Sequence, residues 1–240
     1  MIRESEDRDF TFAFQPIVDV ATRHVFSYEA LIRGTRNEPA NQLLERLPVE
    51  RLHALDQKAR VGAISLAARL GIDCNLNLNL VPGSLYSSET SILSTLEAAE
   101  LNHLPTDRIV LEVTEGEAIE DQVHFAVLVN EYRGIGVKVA IDDFGAGYAG
   151  LNLLADFQPD LIKLDIKMVR GIERHGPHQA IVRAIGQACY DLGIDVVAEG
   201  VETVEEYAWL ERAGVHLFQG YLFAKPGFES LPPAHFPETA

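Results

Sequence analysis

The sequence predicts an α/β barrel in which helices connect parallel strands, and three observations carry that expectation. The chain has 240 residues, 47% of them apolar, enough for one large core, and α/β barrels are typically about 250 residues long. Short β-rich runs alternate with helical stretches along most of the chain. Polar residues collect at the C-terminal ends of those runs, although strands of a parallel sheet should be nearly all apolar.

The elements justify themselves in order. FTFAFQPIV (10–18) meets VFSYEALIR (25–33) through the short polar link DVATRH, which suits an antiparallel hairpin, and Glu29 and Arg33 share a face. A helical stretch at 51–70 precedes NLNLNL (75–80), in which Asn75, Asn77 and Asn79 lie on one face and Leu76, Leu78 and Leu80 on the other. RIVLEVTE (108–115) is followed by a helical stretch at 117–133 and by GVKVAIDD (136–143). PDLIKLDI (159–166) sets Lys163 and Asp165 on one face. The helical stretches 176–192 and 203–213 precede GIDVVAEG (193–200) and GVHLFQG (214–220), and the apolar and acidic mixture of 203–213 reads as a solvated helix face. Strands separated by helices this long pair in parallel, because a tight turn cannot join parallel neighbours. With no repeat or long linker, residues 1–240 form one domain with a core at about 10–228 and, from Glu229 onward, a loose proline-bearing tail.

Composition excludes several classes of function. Subtracting 36 acidic from 20 basic residues leaves a formal charge of −16, which argues against duplex nucleic acid or an anionic membrane as partner. Cys74 and Cys189 form no C-x-x-C pair, so neither a disulfide framework nor a cysteine-bound zinc is expected. The opening MIRESEDRDF is charged and no apolar run approaches the length of a membrane span, so the expected location is cytoplasmic.

Each of the seven crossover strands ends in a polar group: Glu29, Asn79, Glu112, the pair Asp142 and Asp143, Lys163, Glu199 and Gln219. Parallel barrel strands all finish on one rim, where such enzymes build their sites. Five carboxylates on one rim repel one another unless cations sit among them, and hard Mg²⁺ or Mn²⁺ prefers oxygen ligands. One aspartate bridging two ions would hold them about 3.5–4 Å apart, a geometry suited to phosphoryl displacement, and Asp142 beside Asp143 fits that role. Gly145 and Gly147 then let the following loop turn sharply and move as a lid. Plainer readings stand beside these. Glu29 or Glu112 alone is more often a solvated strand end, and Asn75 and Asn77 read as a hydrogen-bonded structural array. Asp165 either caps a helix, pairs with Lys163 or binds metal. Phe218, Tyr221 and Phe223 either stack a base or pack the barrel end, and the eight scattered histidines read as surface or packing residues.

Several blocks then carry a family resemblance. Glu29-Ala30-Leu31 followed by Arg33, NLVP (79–82), EVTE (112–115), DDFGAGYAGL (142–151), KLD (163–165), AEGVE (198–202) and QGYLF (219–223) occur in order, from FQPIV near the start to FAKP at 223–226. Together they resemble the EAL family of bacterial cyclic di-GMP phosphodiesterases. The resemblance implies a modified TIM (β/α)8 barrel with an antiparallel first strand. It also implies hydrolysis of cyclic di-GMP to linear pGpG with two divalent cations, Mg²⁺ or Mn²⁺, Ca²⁺ being inhibitory. By the same resemblance Glu29, Asn79, Glu112 and Asp142 hold one metal, and Asp142 and Asp143, with Glu199 nearby, serve the second. Lys163 bonds the attacking water or a phosphate oxygen, and Glu199 positions and deprotonates that water. Gln15, Leu31, Arg33 and Gln219 contact substrate, Glu115 anchors the mobile loop, and Asp165 and Glu202 support the site from behind. A homodimer is implied, in a protein either free-standing or cut from a larger sensor.

The chain departs from the family's DDFGTGYSS at Ala146, Ala149 and Gly150, which removes loop hydroxyls but no metal ligand, and NLVP replaces the usual NLSP. The other reading is a catalytically silent EAL domain that binds the nucleotide or a partner protein as a receptor. Silent members typically lack one of the acids or the lysine, and none is missing here.

Overall fold

The hairpin forms as the polar link requires. In the computed structural model, which describes residues 10–44, 49–80, 90–116, 122–147 and 151–238, β1 (Phe10–Asp19) pairs antiparallel with β2 (His24–Gly34) from Phe10↔Gly34 to Asp19↔His24. Asp19 accepts hydrogen bonds from the Ala21 and Thr22 amides at 2.9 and 3.3 Å, and Arg23 takes a left-handed φ of 56°, so the link closes as a tight turn.

Helices α1 (Ala40–Leu44) and α2 (Val49–Arg69) lead to β3 (Asn75–Asn79), and α3 (Thr90–Leu101) leads to β4 (Ile109–Thr114). Then α4 (Gln122–Gly134), β5 (Lys138–Phe144), α5 (Asn152–Phe157), β6 (Leu161–Leu164), α6 (Ile166–Val169) and α7 (Gly176–Leu192) follow. The last elements are β7 (Asp195–Ala198), α8 (Val204–Arg212), β8 (Leu217–Phe218) and β9 (Gly227–Phe228). Strands β2 to β8 pair in parallel in chain order, and β1, antiparallel to both β2 and β8, closes the eight-stranded barrel. The closing seam is short, with only Val18↔Phe218 and Asp19↔Leu217 in register, and β9 pairs with β1 at Ala13 and Phe14.

The interior has two levels set by strand periodicity. Ile17, Val110, Ala140, Leu161, Val197 and Leu217 form a sealed apolar plug. Two residues further along their parallel strands come Glu112, Asp142, Lys163, Glu199 and Gln219, on the same inward face and one level nearer the mouth. Because β1 runs the other way, its mouth-side residue is Gln15, two before Ile17. The larger core, which includes Leu76, Leu78, Leu111, Ile141, Ile162 and Leu164, packs the strands' outer faces against the helices.

Three expectations change. The 203–213 helix is not a solvated face, since Glu206, Tyr207, Trp209 and Leu210 are buried. Strand β6 stops at Leu164, and Asp165 becomes the N-cap of α6, accepting from the Lys167 amide at 2.6 Å, so it does not share a strand face with Lys163. The tail after Glu229 is tied to the barrel by Tyr28 Oη donating to the Pro232 carbonyl (2.8 Å) and by the His235 amide donating to the Phe223 carbonyl (2.9 Å). Residues 117–121 of the expected 117–133 helix lie outside the described residues, as do Val81 and Pro82 of NLVP and residues 148–150 of the DDFGAGYAGL block.

Candidate active site

At the polar level Lys163 stands at the centre. Its side chain is 1% exposed, and its ammonium lies 2.7 Å from Glu199 Oε1, 3.0 Å from Glu112 Oε1, 3.1 Å from Asp142 Oδ1 and 3.3 Å from Glu29 Oε2. Amides fix the carboxylates from the other side. Gln219 Nε2 donates to Glu29 Oε2 (2.7 Å), Asn79 Nδ2 to Glu29 Oε1 (2.9 Å) and Asn77 Nδ2 to Glu112 Oε1 (2.7 Å). Asn77 thus has the structural role the sequence suggested, and so does Asn75, which donates to the Phe26 carbonyl. Glu112 keeps its buried Oε2 without a hydrogen-bond partner among the described residues.

The electrostatics follow from this crowding. Burial, then the neighbouring Glu29, holds the Glu112 carboxyl well above the usual range. Burial pushes upward on Glu29 as well, but the Lys163 charge and the Gln219 and Asn79 hydrogen bonds outweigh it and bring that carboxyl down. Glu199 is pushed up to about 8 by burial, against the opposing pull of Lys163. Asp143, at the exposed edge, is raised by partial burial, then by Asp142 and Asp165.

Two acid triads emerge. Glu29, Glu112 and Asp142 bring one carboxylate oxygen each within 4.8 Å of the others, as do Asp142, Asp143 and Glu199, and Asp142 belongs to both. With all five carboxylates ionised, as ligation requires, five negative charges and one ammonium leave four, the charge that two divalent cations cancel. The orphaned Glu112 oxygen and the all-oxygen donor set fit hard cations such as Mg²⁺ or Mn²⁺.

Around this centre the other expected residues separate. Glu115 Oε2 accepts from the amides of Gly145 (3.1 Å) and Gly147 (3.0 Å), where the chain turns with positive φ at Asp143 (54°) and Gly145 (94°). A cavity of about 310 Å³ is lined by Gln15, Glu199, Gln219 and Tyr221 among others. A second, of about 350 Å³, is lined by Leu31, Arg33 and Asn79 among others, and Glu29 contributes to both. Glu202 borders the first cavity, yet its carboxylate pairs with Arg170 at 2.8 Å rather than with the cluster. Of the three aromatics, Phe218 and Phe223 are buried against Tyr207, and Tyr221, 56% exposed, alone faces the cavity.

Sequence reasoning missed Glu206 and Ile166. The Glu206 carboxylate accepts from the amides of Gly171, Glu202 and Thr203, tying the loop that follows Glu199 to its surroundings. The capping-box pattern Thr203-x-x-Glu206 is the signal that could have found it. Ile166 is 42% exposed and lines the cavity beside Gly200, a position with no polar signature in sequence.

The geometry matches known proteins. The EAL domain profile matches residues 1–226. BluF of Escherichia coli, named a blue light- and temperature-regulated antirepressor, is 37% identical over 228 residues, 95% of this chain and 57% of that protein. The Pseudomonas aeruginosa cyclic di-GMP phosphodiesterase PA2567 is 30% identical over 234 residues, 92% of this chain and 39% of that protein. Among solved structures, a standalone EAL protein of Vibrio cholerae in its c-di-GMP-bound form superimposes with a TM-score of 0.91 at 47% identity, covering 96% of this chain and 98% of that one. Klebsiella pneumoniae BlrP1 in a manganese/cy-diGMP complex gives a TM-score of 0.90 at 40% identity, over 95% of this chain and 59% of that one. The chain spans about half the length of BluF and less of the other curated relatives it matches.

Proposed function

The chain belongs to the EAL domain family, and from that premise we propose that it hydrolyses cyclic di-GMP to linear pGpG using two divalent cations, Mg²⁺ or Mn²⁺, at the C-terminal mouth of the barrel. The observation that carries this reading is the sharing of Asp142 between two acid triads whose uncancelled charge is that of two such ions. Glu29, Glu112, Asp142 and the Asn79 amide oxygen hold one ion, and Asp142 and Asp143, with Glu199 beside them, hold the other. When bound, such a pair acidifies water and offsets charge on phosphoryl oxygens.

The chain's own residues do the rest. Glu199, 2.7 Å from the Lys163 ammonium and lining the cavity beside Gln15 and Gln219, takes the proton of the attacking water once cations keep its carboxylate ionised. Lys163 donates to a phosphate oxygen or to that water, and Arg33 presents its fork to a phosphate. The two cavities meeting at Glu29 receive the two nucleoside halves, one beside Gln15 and Gln219, the other beside Leu31. Glu115 holds the loop after Asp143, and Glu202, through Arg170, braces the loop after Glu199. Asp165 supports the site from behind by fixing the start of α6.

The protein acts in the cytoplasm, in keeping with two free cysteines and, among the described residues, no helix long and apolar enough to cross a membrane. It pairs as a homodimer through the helices beside the 142–151 loop, where Val127 and Leu151 are 49% and 47% exposed. Incubation with cyclic di-GMP and Mn²⁺ should yield pGpG by chromatography, and Glu29→Ala should abolish turnover while the far-UV circular dichroism is retained. Tight nucleotide binding without turnover would instead favour the receptor reading, which similarity to an antirepressor supports and the complete set of acids and lysine opposes.

A further inference from the structure

Lys163 is sealed at 1% exposure, and each of the four oxygens within 3.3 Å of its ammonium belongs to a member of one of the two acid triads. An ammonium has three protons to donate, so four carboxylate contacts are more than it needs for hydrogen bonding alone. They are what a counter-ion gathers. Glu29 and Glu112 are also gripped from behind by the amides of Gln219, Asn79 and Asn77, so their positions do not depend on the ammonium alone.

We propose that Lys163 is the built-in counter-ion of the ion-free barrel: its ammonium holds the four carboxylates together until divalent cations take them over, and loading frees it to face substrate. The inference rests on the two-cation reading above and adds an order of events to it. Without any cation, four carboxylates meeting at one buried point would repel strongly in a medium that screens poorly. With the ammonium present the cage is assembled before metal arrives, but each incoming cation meets a like charge within the same cage. Lys163 therefore favours the ion-free fold and opposes ion binding. A residue that only touched substrate would do neither.

The test compares the full chain with Lys163→Met, which keeps length and removes charge, using Mn²⁺ alone as probe. In chelator the variant should melt at lower temperature than the parent. By titration calorimetry it should bind Mn²⁺ at least about tenfold more tightly, and its melting temperature should rise more on saturation. If the parent binds Mn²⁺ and the variant binds it no more tightly, the counter-ion inference is overturned and the two-cation reading stands. If the parent itself neither binds Mn²⁺ nor gains stability from it, the two-cation reading fails and this inference with it. Should the variant not fold, the ¹⁵N signal of the Lys163 ammonium in the parent decides. It should be slowly exchanging in chelator and should shift and lose protection on saturation with Mg²⁺, and an unchanged signal overturns the inference.

Discussion

Glu199 shows how one residue couples the site to stability. Its folded carboxyl is lifted to about 8 by burial, against an ordinary value of 4.5. Between those values the folded chain holds a proton that the unfolded chain has released, so stability falls as pH rises across that window. A cation that binds the deprotonated carboxylate reverses the loss. In chelator the melting temperature should therefore decline from about pH 5 to about pH 8. A fixed Mn²⁺ concentration, about a hundredfold above its dissociation constant at neutral pH, should raise it by about 5–10 °C there and by more at the alkaline end, where binding is tighter. Scanning fluorimetry across pH checks this, and a melting temperature in chelator that rose with pH would contradict it. At this scale the sequence was most legible where a polar residue interrupts an apolar strand, as at Glu112, Asp142 and Lys163. It was least legible where the cause is tertiary. Asp165 continues the two-residue period of its run and still leaves the strand, because its carboxylate caps the next helix. For Glu206 the capping box was legible, but not the Gly171 amide that reaches its carboxylate from 35 residues away.

Among the elements, the loops after β7 and β8 interlock through backbone alone. The Val201 amide donates to the Gln219 carbonyl and the Leu222 amide to the Val201 carbonyl, both at 3.1 Å. A Cβ added at Gly220 would land on the Val201 backbone, which cannot give way as a side-chain tip could. Gly220→Ala should cost about 1–3 kcal/mol in urea unfolding and lower turnover by moving Gln219 away from Glu29. Gly186→Ala, where an added Cβ meets nothing within 4 Å, should leave turnover unchanged. As a substitution inside α7 it should add about 0.5–1 kcal/mol. The β1–β2 hairpin and the parallel strands from β2 to β8 were readable, because each lies in an apolar run that ends in a polar residue, even where, as at β8, only two residues pair. Strand β9 was not, since no apolar run surrounds it and Pro226-Gly227 reads as a turn.

For the molecule as a whole, the barrel class was legible from alternation and length, and the placement of all the polar ends on one rim follows from parallel pairing. How evenly the staves are joined was not legible, because register depends on partners far apart in sequence. Strands β4 and β5 share five register pairs, from Val110↔Lys138 to Thr114↔Asp142, against two between β1 and β8. Native-state hydrogen exchange should accordingly find lower protection for Val18 and Phe218 than for Leu111 and Ile141. Equal protection would mean that the two-rung seam is as firm as the rest. Strand order puts that joint across the cylinder from β4 and β5, which carry Glu112 and Asp142. Strand β8 is held by only two register pairs on either side, so the wall beside Gln15 and Gln219 can flex at that one stave while the β4–β5 wall keeps its grip.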